Sequence, residues 1–186
     1  MENRLLGIYL NDQLAAGVLW RETARRAQRN NDGSDLGAAL ARVAAAIAED
    51  VQTFEQIMRR VGVRRNPIKP ALATAAERAG RLKLNGRLRS YSPLSRFTEL
   101  DFLRYGIEGK KVLWQNLRDL ARLGERLPDV DFDALIARAQ AQIDEIEPFR
   151  LAAGTAALGE YPARGADLRH SSGGLRARLL GERTSH

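Results

Sequence analysis

The sequence contains no cysteine. Disulfides, zinc–thiolate centres, iron–sulfur clusters and thiol nucleophiles are therefore excluded, and a reducing, cytoplasmic setting is expected. Its two histidines, His170 and His186, both lie near the C-terminal end. A serine triad needs an imidazole base, and the rest of the chain offers none. Aromatic residues make up only 6%. No apolar run approaches the roughly 20 residues of a transmembrane helix. No charged, apolar and cleavable leader pattern opens the chain, so no signal peptide is expected. There is no glycine-rich phosphate loop between a strand and a helix.

What remains is rich in alanine, leucine and arginine, the composition of a helix former. The apolar residues recur at helical spacing in four long stretches. The first runs from about Arg4 to Asn30, with Leu6, Leu10, Leu14, Gly17 and Ala24 on one face and Trp20 on its flank. The second is the most regular: Leu36, Leu40, Val43, Ile47, Val51, Phe54, Ile57 and Val61 form one stripe. Ser34 or Asp35 is placed to cap it, and Gly62 to stop it. Pro67 to Ala79 predicts a short extra helix, and Asn85-Gly86 a turn. The third long helix begins with Ser92 as cap and Pro93 at the first helical position. Its apolar face is Leu94, Phe97, Leu100, Leu103, Ile107, Trp114, Leu117 and Ala121. Gly106 and Gly109 predict either a kink or a close neighbour. After a break at Gly124 to Pro128, Asp131 caps a last helix. Its inward residues are Phe132, Leu135, Ala139, Gln142, Ile146, Phe149 and Ala153, and Pro148 should bend it. The periodicity ends near Gly159. The expected organisation is a helical domain over 1–158 and a flexible basic tail over 159–186.

Short breaks make sequence neighbours antiparallel, so the expected fold is all-α, an antiparallel four-helix bundle. The roughly 30 residues between the second and third long helices are enough to cross one end of it.

Three stretches carry a resemblance. They are Tyr9-Leu-Asn-Asp-Gln-Leu-Ala-Ala-Gly17, Gly80-Arg-Leu-Lys-Leu-Asn-Gly-Arg-Leu88, and Ser92-Pro-Leu-Ser-Arg-Phe-Thr-Glu-Leu100 followed by Gly106-Ile-Glu-Gly-Lys110 and Leu113-Trp114. Together they resemble an uncharacterised family of bacterial helical-bundle proteins. The similarity covers most of residues 5 to 158 and not the tail. It implies a ferritin-like layout and no particular activity. In that pattern a histidine often stands where Gln13 stands here.

Charge is distributed unevenly. The chain carries a net +7. Between Arg59 and Arg96, eleven basic residues face one acid, Glu77, a local balance of +10 that leaves −3 for the remainder. Arg59, Arg60, Arg64, Arg65, Arg81, Lys83, Arg87 and Arg89 are the candidate anion-binding residues. The partner they imply is an acidic protein, an anionic membrane surface or a nucleic acid. Few aromatics interleave with them, which weakens the case for base stacking.

A second set of candidates comes from charges on apolar stripes. Asp50 falls between Ile47 and Phe54, and Lys110 between Ile107 and Trp114. Asp12 shares a stripe with Leu5, Ile8, Ala15 and Leu19. A buried carboxylate must be paired or protonated, so Asp12, Asp50 and Lys110 are expected to form a buried polar cluster. No redox metal and no cofactor are expected, because no Glu-x-x-His pair exists. The leading expectation is a non-enzymatic binding protein with a basic surface, able to form homo-oligomers through its helix faces. The alternative is a metal-binding bundle or enzyme with an all-carboxylate site from Asp12, Glu49, Asp50, Glu99 and Glu108, suited to a hard cation.

Overall fold

The computed structural model describes residues 2–66 and 91–159. These residues form five helices and no strand: α1 (Glu2–Asn30), α2 (Asp35–Arg60), α3 (Pro93–Asp119), α4 (Leu123–Arg126) and α5 (Phe132–Leu158). No helix among them is long and apolar enough to cross a membrane. The expected short helix at 67–79, the turn at Asn85-Gly86 and the tail beyond residue 159 lie outside the described residues.

Local sequence sets the ends of these helices. Ser34 and Ser92 accept hydrogen bonds from the backbone N–H groups of Gly37 and Ser95, both at 3.1 Å. Asp131 accepts one from Ala134 at 2.8 Å. Each satisfies a donor that the first helical turn leaves without a partner. Gly62 ends α2 at φ +74°, a conformation that favours glycine. The N–H of Gly62 then reaches the carbonyl of Arg59, and that of Val63 the carbonyl of Met58. α5 runs on through Pro148, which lies on its exposed side.

One expected break is corrected. Residues 124–128 do not form a plain loop, because Leu123 and Leu127 are both buried and a helical turn brings them onto one face. The chain breaks earlier, at Leu120 to Arg122, where Arg122 takes a left-handed conformation.

The four long helices pack as a closed ring of neighbours, in the order α1, α2, α5, α3. Cross-helix contacts fix their directions. Arg26 meets Glu99, while Asn116 meets Tyr9. Arg42 meets Glu145, while Arg60 meets Asp129 beyond the start of α5. Arg150 meets Asp101, while Arg118 meets Asp133. Each long helix is thus antiparallel to both of its neighbours, and α2 and α3 run the same way.

The end of α2 and the start of α3 therefore lie at opposite ends of the ring. An asparagine holds the described chain at each of these points. The Asn11 side chain donates to the carbonyl of Arg64 and accepts from the N–H of Asn66. Asn31 donates to the Tyr91 hydroxyl and accepts from Arg96. The two anchors stand some twenty residues apart, about 30 Å at the helical rise.

Two apolar clusters fill the interior. One gathers Leu10, Leu14, Phe54, Ile57, Trp114, Leu117, Leu123 and Phe132. The other gathers Ala24, Leu40, Val43, Ile47, Leu100, Leu103, Ile107 and Ile146. Gly106 is needed for close approach: a Cβ there would lie 2.2 Å from Cδ2 of Trp20. A close neighbour is therefore the reason for this glycine. At Gly109 a Cβ would meet nothing within 4 Å. Gly106→Ala is expected to destabilise the protein by about 1–3 kcal/mol through overpacking. Gly109→Ala is expected to stabilise it by up to about 1 kcal/mol through helix propensity. Urea unfolding of the two variants measures both.

Candidate functional site

Between the two apolar clusters lies a layer of charge. Asp50 on α2 is only 2% exposed. The stripe that carries it points into the ring, so its carboxylate must find partners there. Three arrive from other helices. Lys110 Nζ on α3 donates to Asp50 Oδ2 and to Oε1 of Gln142. Gln142 Nε2 on α5 donates to Asp50 Oδ2 at 3.0 Å. Arg138, one turn earlier on α5, donates through Nη2 to Asp50 Oδ1. Burial pushes the Lys110 pKa down, Asp50 opposes this, and Arg138 adds to it.

Two of the three expected cluster residues, Asp50 and Lys110, thus come together. Asp12 does not join them and is corrected: it stands exposed on α1. Leu5 and Ile8, on the same stripe, are also exposed, at 73% and 47%. α1 carries apolar residues on more than one face, and the face that turns inward is that of Leu10, Leu14 and Val18. Arg138 and Gln142 complete the layer. Gln142 already stood on the inward stripe of α5, and a polar residue there demands a partner. Arg138 shares its face at a spacing of four.

The proposed carboxylate set does not gather into one site: Glu49 and Asp50 share Arg138, and Glu99 and Glu108 pair elsewhere. Glu108 pairs with Lys111 at 2.7 Å, and Glu49 lies 3.6 Å from Arg138. Glu99 accepts from Arg26 at 2.6 Å and from the Tyr91 hydroxyl at 2.8 Å. No group of three or more metal-ligating side chains occurs among the described residues.

Four of the candidate anion-binding residues are described. Arg59, Arg60, Arg64 and Arg65 all lie exposed where α2 ends. Arg60 grips both oxygens of Asp129, at 2.6 and 2.7 Å, and Arg65 pairs with Glu55 at 3.1 Å. Arg59 and Arg64 make no ion pair among the described residues. Arg81, Lys83, Arg87 and Arg89 lie outside them.

The charged layer is open on one side. α2, α3 and α5 each send a polar side chain to it, but at this level α1 presents Gln13, Ala16 and Gly17. The small Ala16 and Gly17 leave a cleft of about 150 Å³ between α1 and α3, with Gln13 also in its lining. Asp50 and Lys110 line it, with Trp20, Phe54, Tyr105 and Trp114 among its walls. Gly106 and Gly109 hold the α3 side low. Trp114 is 1% exposed and stands edge-on to Phe54, and its Nε1 has no hydrogen-bond partner. No single stretch of sequence signals this cleft, since it arises where short residues of two helices face one another.

Asp50→Ala leaves Lys110 and Arg138 without their shared counter-charge. It is expected to cost about 3–5 kcal/mol in urea unfolding, and the double variant Asp50→Leu/Lys110→Met distinctly less. Burial, with the nearby charge of Glu99, pushes the Tyr91 phenol up to about 12 against a hydrogen bond from Asn31. The unfolded chain releases this proton near pH 10. Stability is therefore expected to fall as pH rises from 10 to 12, since only the folded state keeps the proton there. Tyr91→Phe should flatten that slope in unfolding curves taken across the window.

Comparison with protein-family models, with curated proteins and with solved structures gives no match.

Proposed function

We propose that this is a non-enzymatic binding protein whose cleft between α1 and α3 holds a small ligand. Within the same proposal, the ring of helices is an antiparallel four-helix bundle, ferritin-like in layout, working in the cytoplasm. The observation that carries the reading is the cleft itself. It is an apolar concavity that descends to a small number of convergent polar groups, the usual form of a small-molecule site. A dry cavity of comparable volume, lined by apolar side chains, is large enough for a benzene ring. Binding is favoured over catalysis because the Asp50 oxygens already accept three hydrogen bonds, and the neighbouring acids Glu49 and Glu108 are each paired with a cation.

The basic surface stays in the proposal on narrower support. Arg59 and Arg64 are exposed at the end of α2 and turn their charge to solvent, as an anionic partner would require. Homo-oligomers through helix faces are supported by Leu5 and Ile8 on α1 and by Phe102, Tyr105 and Val112 on neighbouring α3, all exposed.

Both tryptophans of the chain, Trp20 and Trp114, line the cleft. Toluene titrated into the protein is therefore expected to change the intrinsic fluorescence in a saturable way. Gly109→Leu, which adds bulk where α3 has open space, should weaken this at least about tenfold while the unfolding curve is kept. A linear, unsaturable response in the native protein would reject the cleft as a ligand site.

A further inference from the structure

Building on the reading of the cleft as a ligand site, we infer that its ligand is a small aromatic monocarboxylate, with the ring between the aromatic walls and the carboxylate at Lys110.

Hydrogen-bond accounting at the floor of the cleft points to an acceptor. A lysine ammonium has three hydrogens. Those of Lys110 reach Asp50 and Gln142, which leaves one unassigned. On the side of the charged layer, the two acceptors that Lys110 meets are already engaged. Gln142 accepts through Oε1 and donates through Nε2, and Asp50 accepts from three groups. A ligand group that brings lone pairs satisfies the hydrogen that Lys110 leaves over, whereas one that brings only donors does not.

Charge points the same way. Asp50 contributes one negative charge against the positive charges of Lys110 and Arg138. The next acid, Glu49, is 66% exposed and meets Arg138 only at 3.6 Å. Its charge is screened by water more than the buried ones are. Asp50 is thus shared between two cations, Lys110 in the cleft wall and Arg138 behind it, and does not neutralise both. A carboxylate there also favours the charged form of Lys110, which burial alone opposes.

The walls decide the body of the ligand. Trp20, Phe54, Tyr105 and Trp114 offer flat faces and edges to a ring. Ala16, Gly17 and Gly109 keep the entrance free of side-chain bulk. The volume of about 150 Å³ suits one ring with a short substituent.

The test is a series of ligands that share one ring and differ in the head group, titrated into the native protein with tryptophan fluorescence as readout. The probes are benzoate, toluene and benzylammonium. Benzoate is expected to bind at least about tenfold more tightly than toluene, which is the effect of one charge-assisted hydrogen bond. Benzylammonium is expected to bind most weakly. Lys110→Met should bring benzoate down to the level of toluene and leave toluene within about threefold. If that variant does not fold, the native series decides alone. Saturable toluene binding with benzoate no tighter would overturn the carboxylate assignment and leave the cleft standing. If none of the three saturates, the cleft reading falls and this inference with it.

Discussion

A carboxylate that is 2% exposed has to be neutralised where it stands, and Asp50 is neutralised by side chains from two other helices. That single requirement organises the interior. Sliding α3 or α5 by one turn along α2 would strand Asp50, Lys110 or both in an apolar surrounding, a penalty of several kcal/mol per ion. The apolar clusters above and below the layer impose no comparable choice, since leucine, isoleucine and alanine repack with modest losses. Apolar burial drives the helices together, and the ion layer selects one register among the packings that burial alone would allow.

The same layer explains where the cleft lies. Three helices commit polar side chains to it, and α1 does not. Between Gln13 and Arg25, no side chain of α1 makes a hydrogen bond to another helix among the described residues; those of Arg21 and Arg25 stay within α1, at Glu22. The polar ties of α1 sit nearer its ends, at Tyr9 and Asn11 on one side and at Arg26 and Asn30 on the other, with Asn31 just past it. Its middle is held by apolar contact, with Trp20 against Phe102 and over Gly106, and Gly17 facing Val51. A wall fixed at both ends and only packed in the middle is where a ring of helices can leave room.

Much of this was legible in the sequence, and the exceptions share a physical cause. Caps at Ser34, Ser92 and Asp131 are local, because a side chain meets a backbone N–H three residues away. The α2 stripe is almost unbroken, so one charge within it, Asp50, identifies itself. Lys110 stands out on α3 for the same reason. α1 is ambiguous because Leu5, Ile8 and Leu19 make a second stripe beside that of Leu10, Leu14 and Val18. Periodicity gives a helix its faces but does not say which of two apolar faces a partner covers, and Asp12 was assigned to the wrong one. The turn at Leu123 was missed because a glycine and a proline nearby suggest a loop, while two leucines four apart prefer the core.

The cleft shows the limit of reading along the chain. Gly106 and Gly109 are three residues apart and look equivalent as helix interruptions, yet their environments are opposite. Gly106 has no side chain because an indole ring already occupies that space, and Gly109 has none beside an opening. Only the placement of α1 against α3 separates a glycine required for packing from one that leaves access. In the same way, Lys110 is a structural counter-ion when seen from Asp50 and a donor with a hydrogen to spare when seen from the cleft. These roles are compatible because three hydrogens exceed what Asp50 and Gln142 take up. A residue that fixes the register of the helices can thus also supply the polar end of the site, and the stability of the layer keeps that end in place for whatever enters.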